Sequence, residues 1–389
     1  MKHSLFRLLG AVAASALLAL PAGAFDTRAT SAFVIDQTTG TVLLDKNADV
    51  PLPPASMSKL MTLYMAFESI RDGRLTLDEK LPVSQHAMSY GGSTMFLDTT
   101  DRVKVEDLLR GIIVLSGNDA CAVIAEALSP DGTEPGFARM MTTRAQQMGM
   151  NNSTFSNSNG WPQAGHRMSM HDLAILANHL ITDFPQFYPL FSEREFLFDG
   201  RAPQNKSNRN PLLGLGIGAD GLKTGHTTEA GYGLVGSAKQ GDRRVIFVIS
   251  GLDSAIARAE ESEAIVNWSF RHFVKRPLVK AGTEIAQAQV WMGAEARVGL
   301  VPLEDVSALL SVENNSAYTA EVVYQGPIPA PIQKGQQLAK LIITPQGLSP
   351  MEVPLVADRD IPRGGFIPRV TTVGQILLKR LNQGPEGAS

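Results

Sequence analysis

Three short groups of residues carry side chains that could share one reaction. Ser56-Met57-Ser58-Lys59 sets a hydroxyl and an amine three positions apart, and on a helix such a pair shares one face. A serine hydroxyl is a weak nucleophile until a base takes its proton. Lysine can be that base only if its pKa falls, because the free side chain is protonated at neutral pH. Burial and a neighbouring cation both lower it. Ser116-Gly117-Asn118 adds a second hydroxyl and an amide, and Lys223-Thr224-Gly225 adds a second cation and another hydroxyl. Together they suit acyl transfer. Ser56 would be the nucleophile, Lys59 its base and Ser116 a relay that can pass the proton to a leaving amine. Asn118 can hydrogen-bond a substrate amide, and Thr224 a substrate carboxylate. The Ser56 N–H and one N–H from the Lys223 strand can form an oxyanion hole.

Each group alone is common, and its plainer reading is a surface Ser and Lys or a loop Asn. Their order, and the elements beneath them, carry the argument. A helix starts near Ser56 after the proline-rich Pro51 to Pro54, with Met57, Leu60, Met61, Tyr64, Met65 and Phe67 spread almost all round it. Such a helix is deeply buried. Residues 105–128, 137–148 and 171–180 read as helices, and 259–273 as a last amphipathic one. Ser31 to Asp45 reads as a hairpin, and so do Tyr232 to Ala238 and Arg244 to Ser250 around Lys239–Asp242. Strands first, helices in the middle, then strands and a helix predict an α+β domain, one antiparallel sheet with helices packed on it. An edge strand near Lys223 could pair with an extended peptide and fix the scissile bond.

After Pro277 the pattern changes to short β-rich runs parted by Gly, Pro and Asn: Val290-Trp291, Val298 to Val301, Ala317 to Tyr324, Leu338 to Ile343 and Glu352 to Leu355. That predicts a small all-β domain. No catalytic group falls in it, so spacing or docking is its expected role. Beyond it Val370, Val373, Ile376, Leu377 and Leu381 recur at helical spacing beside Arg369, Lys379 and Arg380. This is the pattern of an interfacial amphipathic helix, although a helix docked on its own protein reads the same way.

The chain opens with Lys2, His3 and Arg7, an apolar run from Leu8 to Leu20, and Ala22-Gly23-Ala24. That is the layout of a secretory signal with its cleavage site, the alternative being an uncleaved anchor. With 44% hydrophobic and 19% charged residues the 389-residue chain suits globular domains with sizeable cores. A formal net charge of −3 gives no footprint for nucleic acid. Cys121 is the sole cysteine, so no intramolecular disulfide forms, and its apolar neighbours mark it as a buried small hydrophobe.

Ordered S-x-x-K, S-x-N and K-T-G groups resemble those of the penicillin-binding serine acyl-enzymes. The likeness is nearest to the low-molecular-mass D-alanyl-D-alanine carboxypeptidases. Ser116-Gly117-Asn118-Asp119-Ala120-Cys121 and Lys223-Thr224-Gly225-His226-Thr227 are similar to the family's second and third motifs, and Gly92 to Leu97 resembles a segment that precedes the second. The resemblance implies a β-lactamase/transpeptidase-like catalytic domain, a β-sandwich domain and a C-terminal amphipathic helix. The boundaries expected are signal 1–24, catalytic domain 25–276, β domain 277–365 and tail 366–389. It also implies that His226 gives the second oxyanion N–H and that Arg209, aided by Arg258, anchors the substrate carboxylate. The expected partners are the peptidoglycan stem peptide and β-lactams. No metal or cofactor is expected. The expected location is the periplasm, with peripheral contact of the tail to the outer face of the inner membrane. The tail lacks the aromatic-rich end common in the family's anchors.

Rival readings remain at this level. A β-lactamase of class A needs a glutamate between the second and third motifs, and 135–192 contains none. An endopeptidase cutting cross-links would use the same machinery. An inactive wall-binding module would not need Ser56, Lys59, Ser116 and Lys223 all in place. No G-x-S-x-G occurs, which removes the α/β-hydrolases. Gly216 to Gly221 matches G-x-G-x-x-G but leads into a strand, whereas a dinucleotide site needs a helix there. His166, His171 and His179 are too scattered for a metal site, and solvent-facing or capping roles are expected for them.

Overall fold

The computed structural model describes residues 25–313 and 317–365. The expected signal segment, 1–24, and the expected C-terminal helix in 366–389 lie outside the described residues.

In chain order come the hairpin β1 (Ser31–Asp36) and β2 (Thr41–Lys46), a 3-10 turn at Ala55–Ser58 and helix α1 (Lys59–Arg71). A short ribbon of β3 (Lys80–Pro82) and β4 (Arg102–Lys104) flanks α2 (Gln85–Met88). Helices α3 (Val105–Arg110), α4 (Asn118–Leu128), α5 (Glu134–Gln147) and α6 (Met170–Asp183) follow. The chain then returns to strands, β5 (Ala219–Thr227), β6 (Gly231–Gln240) and β7 (Arg243–Leu252), and to helix α7 (Ala255–Arg271).

The five long strands form one antiparallel sheet in the order β2-β1-β7-β6-β5. Alternation along β7 sorts its side chains between two layers. Ile246 and Val248 join the core with α1 and α4, while Val245, Phe247 and Ile249 face α7 with Ile265 and Val266. Covered on both sides, the strand reads as an unbroken apolar run. Every residue of α1 from Lys59 to Phe67 is buried, as its nearly all-round apolar sequence predicts. At the far end, β5 pairs with β6 alone, with Lys223 opposite Val235 and Thr224 opposite Leu234.

The single helix expected over 105–128 is two. After α3 the chain widens into a π turn, Gly111–Leu115, and Ser116 stands in the left-handed region at φ 63, ψ 35 before α4 begins at Asn118. A residue with a Cβ pays roughly 1–2 kcal/mol for that conformation. Helical periodicity runs through the break and so hides it. The break holds Ser116 out of the helix ladder, beside the cleft described below.

The β domain has two layers. A six-stranded sheet in the order β12-β14-β15-β10-β9-β13 comprises β9 (Ala286–Trp291), β10 (Arg297–Pro302), β12 (Tyr318–Val323), β13 (Ile328–Pro329), β14 (Gln337–Pro345) and β15 (Met351–Ala357). A ribbon of β8 (Phe273–Val279) and β11 (Val306–Ser311) covers it. Ala308 and Leu310 point into this core with Val298, Leu300, Leu341 and Leu355, whereas Leu309 between them joins Trp268 and Phe273 in the core behind the five-stranded sheet. The ribbon is thus shared by the two units. Pro277, where the composition changes, lies inside β8 opposite Ser307. Among the described residues no helix is long and apolar enough to cross a membrane.

Candidate active site

Lys59 opens α1, and its ammonium end is wholly enclosed at 0% exposure. Nζ lies 2.7 Å from each of three oxygens, Ser56 Oγ, Asn118 Oδ1 and the Asn159 carbonyl. Asn118 Nδ2 donates to the Gly91 carbonyl at 2.8 Å, so its Oδ1 faces the lysine as a pure acceptor. The Asn159 carbonyl is likewise only an acceptor. Two of the three nitrogen positions are therefore filled by N–H donation, and the third looks at the serine. When the amine is neutral, its lone pair occupies that third position. Burial drags the Lys59 pKa down to about 8, and the Arg209 charge pushes the same way.

Ser56 is half-buried in the 3-10 turn ahead of α1 rather than in the α-helix itself. Two glycines allow other elements to press on this turn. A Cβ on Gly225 would meet Met57 Cγ and the Pro54 carbonyl, both at 3.0 Å, which explains the glycine of K-T-G. A Cβ on Gly160 would lie 1.8 Å from the Ala55 carbonyl, and Gly160 has φ +81. We expect Gly160→Ala to cost about 2–4 kcal/mol of stability, from the left-handed backbone plus overpacking, and to slow the enzyme by displacing Ser56. Thermal unfolding and activity on one preparation check this, and an unchanged melting temperature would contradict it.

A cleft of about 340 Å³ opens over this turn, lined by Ser56, Ser116, Arg209, Thr224, Gly225, His226 and Arg258 among the expected residues and by Ser93 and Tyr232 besides. Lys59, Asn118 and Lys223 are buried, and the first two are bonded together behind Ser56. Ser116 Oγ is buried with no hydrogen-bond partner among the described residues. An unpaired buried hydroxyl is costly, and here it faces a space that a substrate would fill. Lys223 is 3% exposed, and burial, with help from Lys59 and Arg209, sets its pKa well below the ordinary lysine value.

On the open side, Arg209 Nη1 donates to Ser93 Oγ, and Arg258 Nη2 reaches the Arg209 carbonyl at 3.5 Å. Arg258 Nε has no partner among the described residues, and its guanidinium carbon stands 5.7 Å from the Tyr232 ring centre. His226 stacks on that ring with centroids 3.8 Å apart. Two guanidinium groups with donors to spare, beside the Thr224 hydroxyl, make a site for an anion such as a carboxylate.

Several contributors escape sequence reasoning. The buried Asp119 carboxylate takes the N–H groups of Met95 at 2.9 Å, Leu97 at 3.1 Å and Ala120 at 2.9 Å, and so ties the 92–97 segment to the start of α4. Burial raises its pKa. Asn159 acts through a backbone carbonyl, which no residue type advertises. Glu134 lies one position outside the glutamate-free stretch and is buried. His166 departs from its expected surface or capping role. It is buried, its Nε2 is 2.9 Å from Ser58 Oγ, and burial lowers its pKa to about 4. His171 and His179 instead meet Asp49 and Asp183 on the exposed side.

Known proteins resemble this chain in sequence and fold. The peptidase family described as D-alanyl-D-alanine carboxypeptidase matches residues 18–254, and the C-terminal domain of penicillin-binding protein 5 matches 273–363. D-alanyl-D-alanine carboxypeptidase DacF of Bacillus subtilis is 34% identical over 346 residues, 87% of each chain. Penicillin-binding protein 5 of Haemophilus influenzae superposes with a TM-score of 0.75 at 32% identity, over 87% of this chain and 98% of that one. Penicillin-binding protein D2 of Listeria monocytogenes, solved in an ampicillin-bound form, superposes with a TM-score of 0.56 at 30% identity, over 63% of this chain and 98% of its own. The catalytic sheet and helices, the appended β domain and the ordered serine–lysine motifs agree with these matches, and the chain belongs to the D-alanyl-D-alanine carboxypeptidase family of serine peptidases.

Proposed function

We propose that this enzyme removes the terminal D-alanine from peptidoglycan stem pentapeptides through an acyl-Ser56 intermediate. The observation that carries the reading is the Lys59 geometry. An enclosed amine with a depressed pKa has both N–H positions committed to acceptors and its remaining position 2.7 Å from a serine hydroxyl.

In this reading the stem peptide lies extended along the free edge of β5, and its C-terminal carboxylate meets Thr224, Arg209 and Arg258. Neutral Lys59 accepts the Ser56 proton while Oγ forms a bond to the carbonyl carbon of the penultimate D-alanine. The Ser56 and His226 N–H groups hold the oxygen that becomes negative. The C–N bond breaks as the proton reaches the leaving nitrogen by way of Ser116, and D-alanine departs. Water then attacks the ester with Lys59 again as base, and Ser56 regains its proton. Arg209 and Arg258 keep the cleft positive, Arg209 helps hold Lys59 neutral, and Asn118 fixes Lys59 and the substrate amide. A β-lactam offers a strained amide in the same place and acylates the same oxygen. The basic head and apolar run at the start of the chain support export to the periplasm, and the amphipathic pattern of 366–389 supports peripheral membrane contact.

The test is mass spectrometry after exposure to penicillin, with release of D-alanine from a pentapeptide and from a cross-linked dimer measured alongside. One adduct on Ser56 and cleavage of the pentapeptide are expected. An unlabelled protein, or an adduct elsewhere, overturns the site, while cleavage of the dimer alone makes the enzyme an endopeptidase.

A further inference from the structure

Glu134 is the second residue past the Asp131-Gly132 turn and the first of α5, behind the N-cap Thr133. It is 3% exposed. One carboxylate oxygen accepts from the Ser158 N–H at 2.9 Å and the Ser158 hydroxyl at 2.5 Å, with the Asn159 side-chain amide at 3.5 Å. The other takes the Tyr90 hydroxyl at 2.7 Å and lies 2.6 Å from His86 Nε2. Burial works against ionisation here, but the bonds from Ser158, Tyr90 and His86 outweigh it and hold the carboxyl below its usual range.

The turn it grips is the one that faces the base. The Ser158 carbonyl is held from α1 by Thr62 Oγ1 at 2.5 Å, and the next carbonyl, Asn159, takes a Lys59 hydrogen. A backbone carbonyl aims only as well as its peptide units are fixed, and reacting groups misplaced by about 1 Å can lose about 100-fold in rate. A neutral side chain could fill the same space without the desolvation cost of a buried charge. The charge has a use beside Lys59, where the other groups bearing on it are the cation Arg209, the buried Asp119, Lys223, whose own proton burial and Lys59 make easier to lose, and Cys121 and His166, both neutral near pH 7.

We propose that Glu134 is a positioning residue for the acylation step: its carboxylate clamps the Ser158-Asn159 turn so that the Asn159 carbonyl directs the Lys59 lone pair at Ser56, and its negative charge acts on Lys59 from behind that turn. The inference rests on Lys59 being the base for an acyl-Ser56 intermediate.

Glu134→Gln and Glu134→Ala in the full chain test it, by the rate of acylation with a fluorescent penicillin across pH, with thermal unfolding on the same samples. Glutamine keeps an oxygen for Ser158 but not the charge. Its plateau rate should stay within a few-fold of wild type, about 3-fold. Its rising limb should move to lower pH, since a nearby anion favours the protonated amine. Alanine releases the turn, and its plateau should fall about 10- to 100-fold. A folded Ala variant with the wild-type plateau overturns the clamp. A Gln variant whose limb coincides with wild type overturns the charge role, and this isosteric variant decides even if the Ala protein does not fold. Wild type that takes no label would instead remove the acyl-enzyme reading itself.

Discussion

Ser56→Ala is expected to take up no penicillin and to release D-alanine about 10⁴-fold more slowly or worse, with little change in melting temperature. The side chain is small, half-buried and bonded only to Lys59, so its loss removes one hydrogen bond and no packing. No neighbour can take over the attack. Ser58 is wholly buried beside His166, and Ser116 is held by a left-handed backbone on a different element. The anion site of Arg209, Arg258 and Thr224 is untouched, so the variant should still bind a pentapeptide reversibly. Mass spectrometry and a competition assay read both halves, and a residual adduct would mean the wrong nucleophile was chosen.

Lys59→Met is the second large effect. Methionine keeps an unbranched body in the enclosed space but offers no proton acceptor of comparable basicity, and acylation should fall about 10³- to 10⁴-fold. In wild type the rate should climb as pH rises through about 8 and level off above, because the neutral amine is the working form. The sign of the stability change follows from the same shift. The folded pKa, about 8, lies below the ordinary 10.5, so between those values the unfolded chain holds the extra proton and the fold gains stability as pH rises. Methionine should remove the Lys59 share of that rise along with the activity limb, leaving the share that the likewise depressed Lys223 contributes. It also leaves Asn118 Oδ1 and the Asn159 carbonyl unpaired, at about 1–3 kcal/mol each, so its melting temperature at neutral pH reports which cost dominates. An activity limb that survives in the Met variant would exclude Lys59 as the titrating base.

The elements were readable where one period governs them. The two hairpins, the buried α1 and most strands of the β domain follow from alternation and apolar runs. What stayed hidden has no signature in residue type. Helical spacing continues straight through Ser116, where the backbone changes hand. The ribbon of β8 and β11 crosses a composition change at Pro277 because its alternate side chains serve two cores. Of the candidate site, side chains in ordered motifs were legible, since type and spacing singled out Ser56, Lys59 and Ser116, and the structure places Lys59 against Ser56 and Ser116 in the same cleft. The Asn159 carbonyl was not, and neither was Glu134, whose meaning comes from a turn more than twenty residues further along the chain. His166 misled for the converse reason, a polar residue satisfied inside by Ser58.

Strand β5 has a ladder partner on one side only. Asn210 holds the Gly221 carbonyl and Lys223 reaches the Thr224 carbonyl, but an edge strand with no ladder beyond it suits an extended peptide, and it suits any other extended chain too, including a second copy of itself. Occupancy of that margin by a substrate or an acylating drug should therefore slow self-association on warming. Self-association through this edge and capture of a peptide would then compete for one strip of backbone.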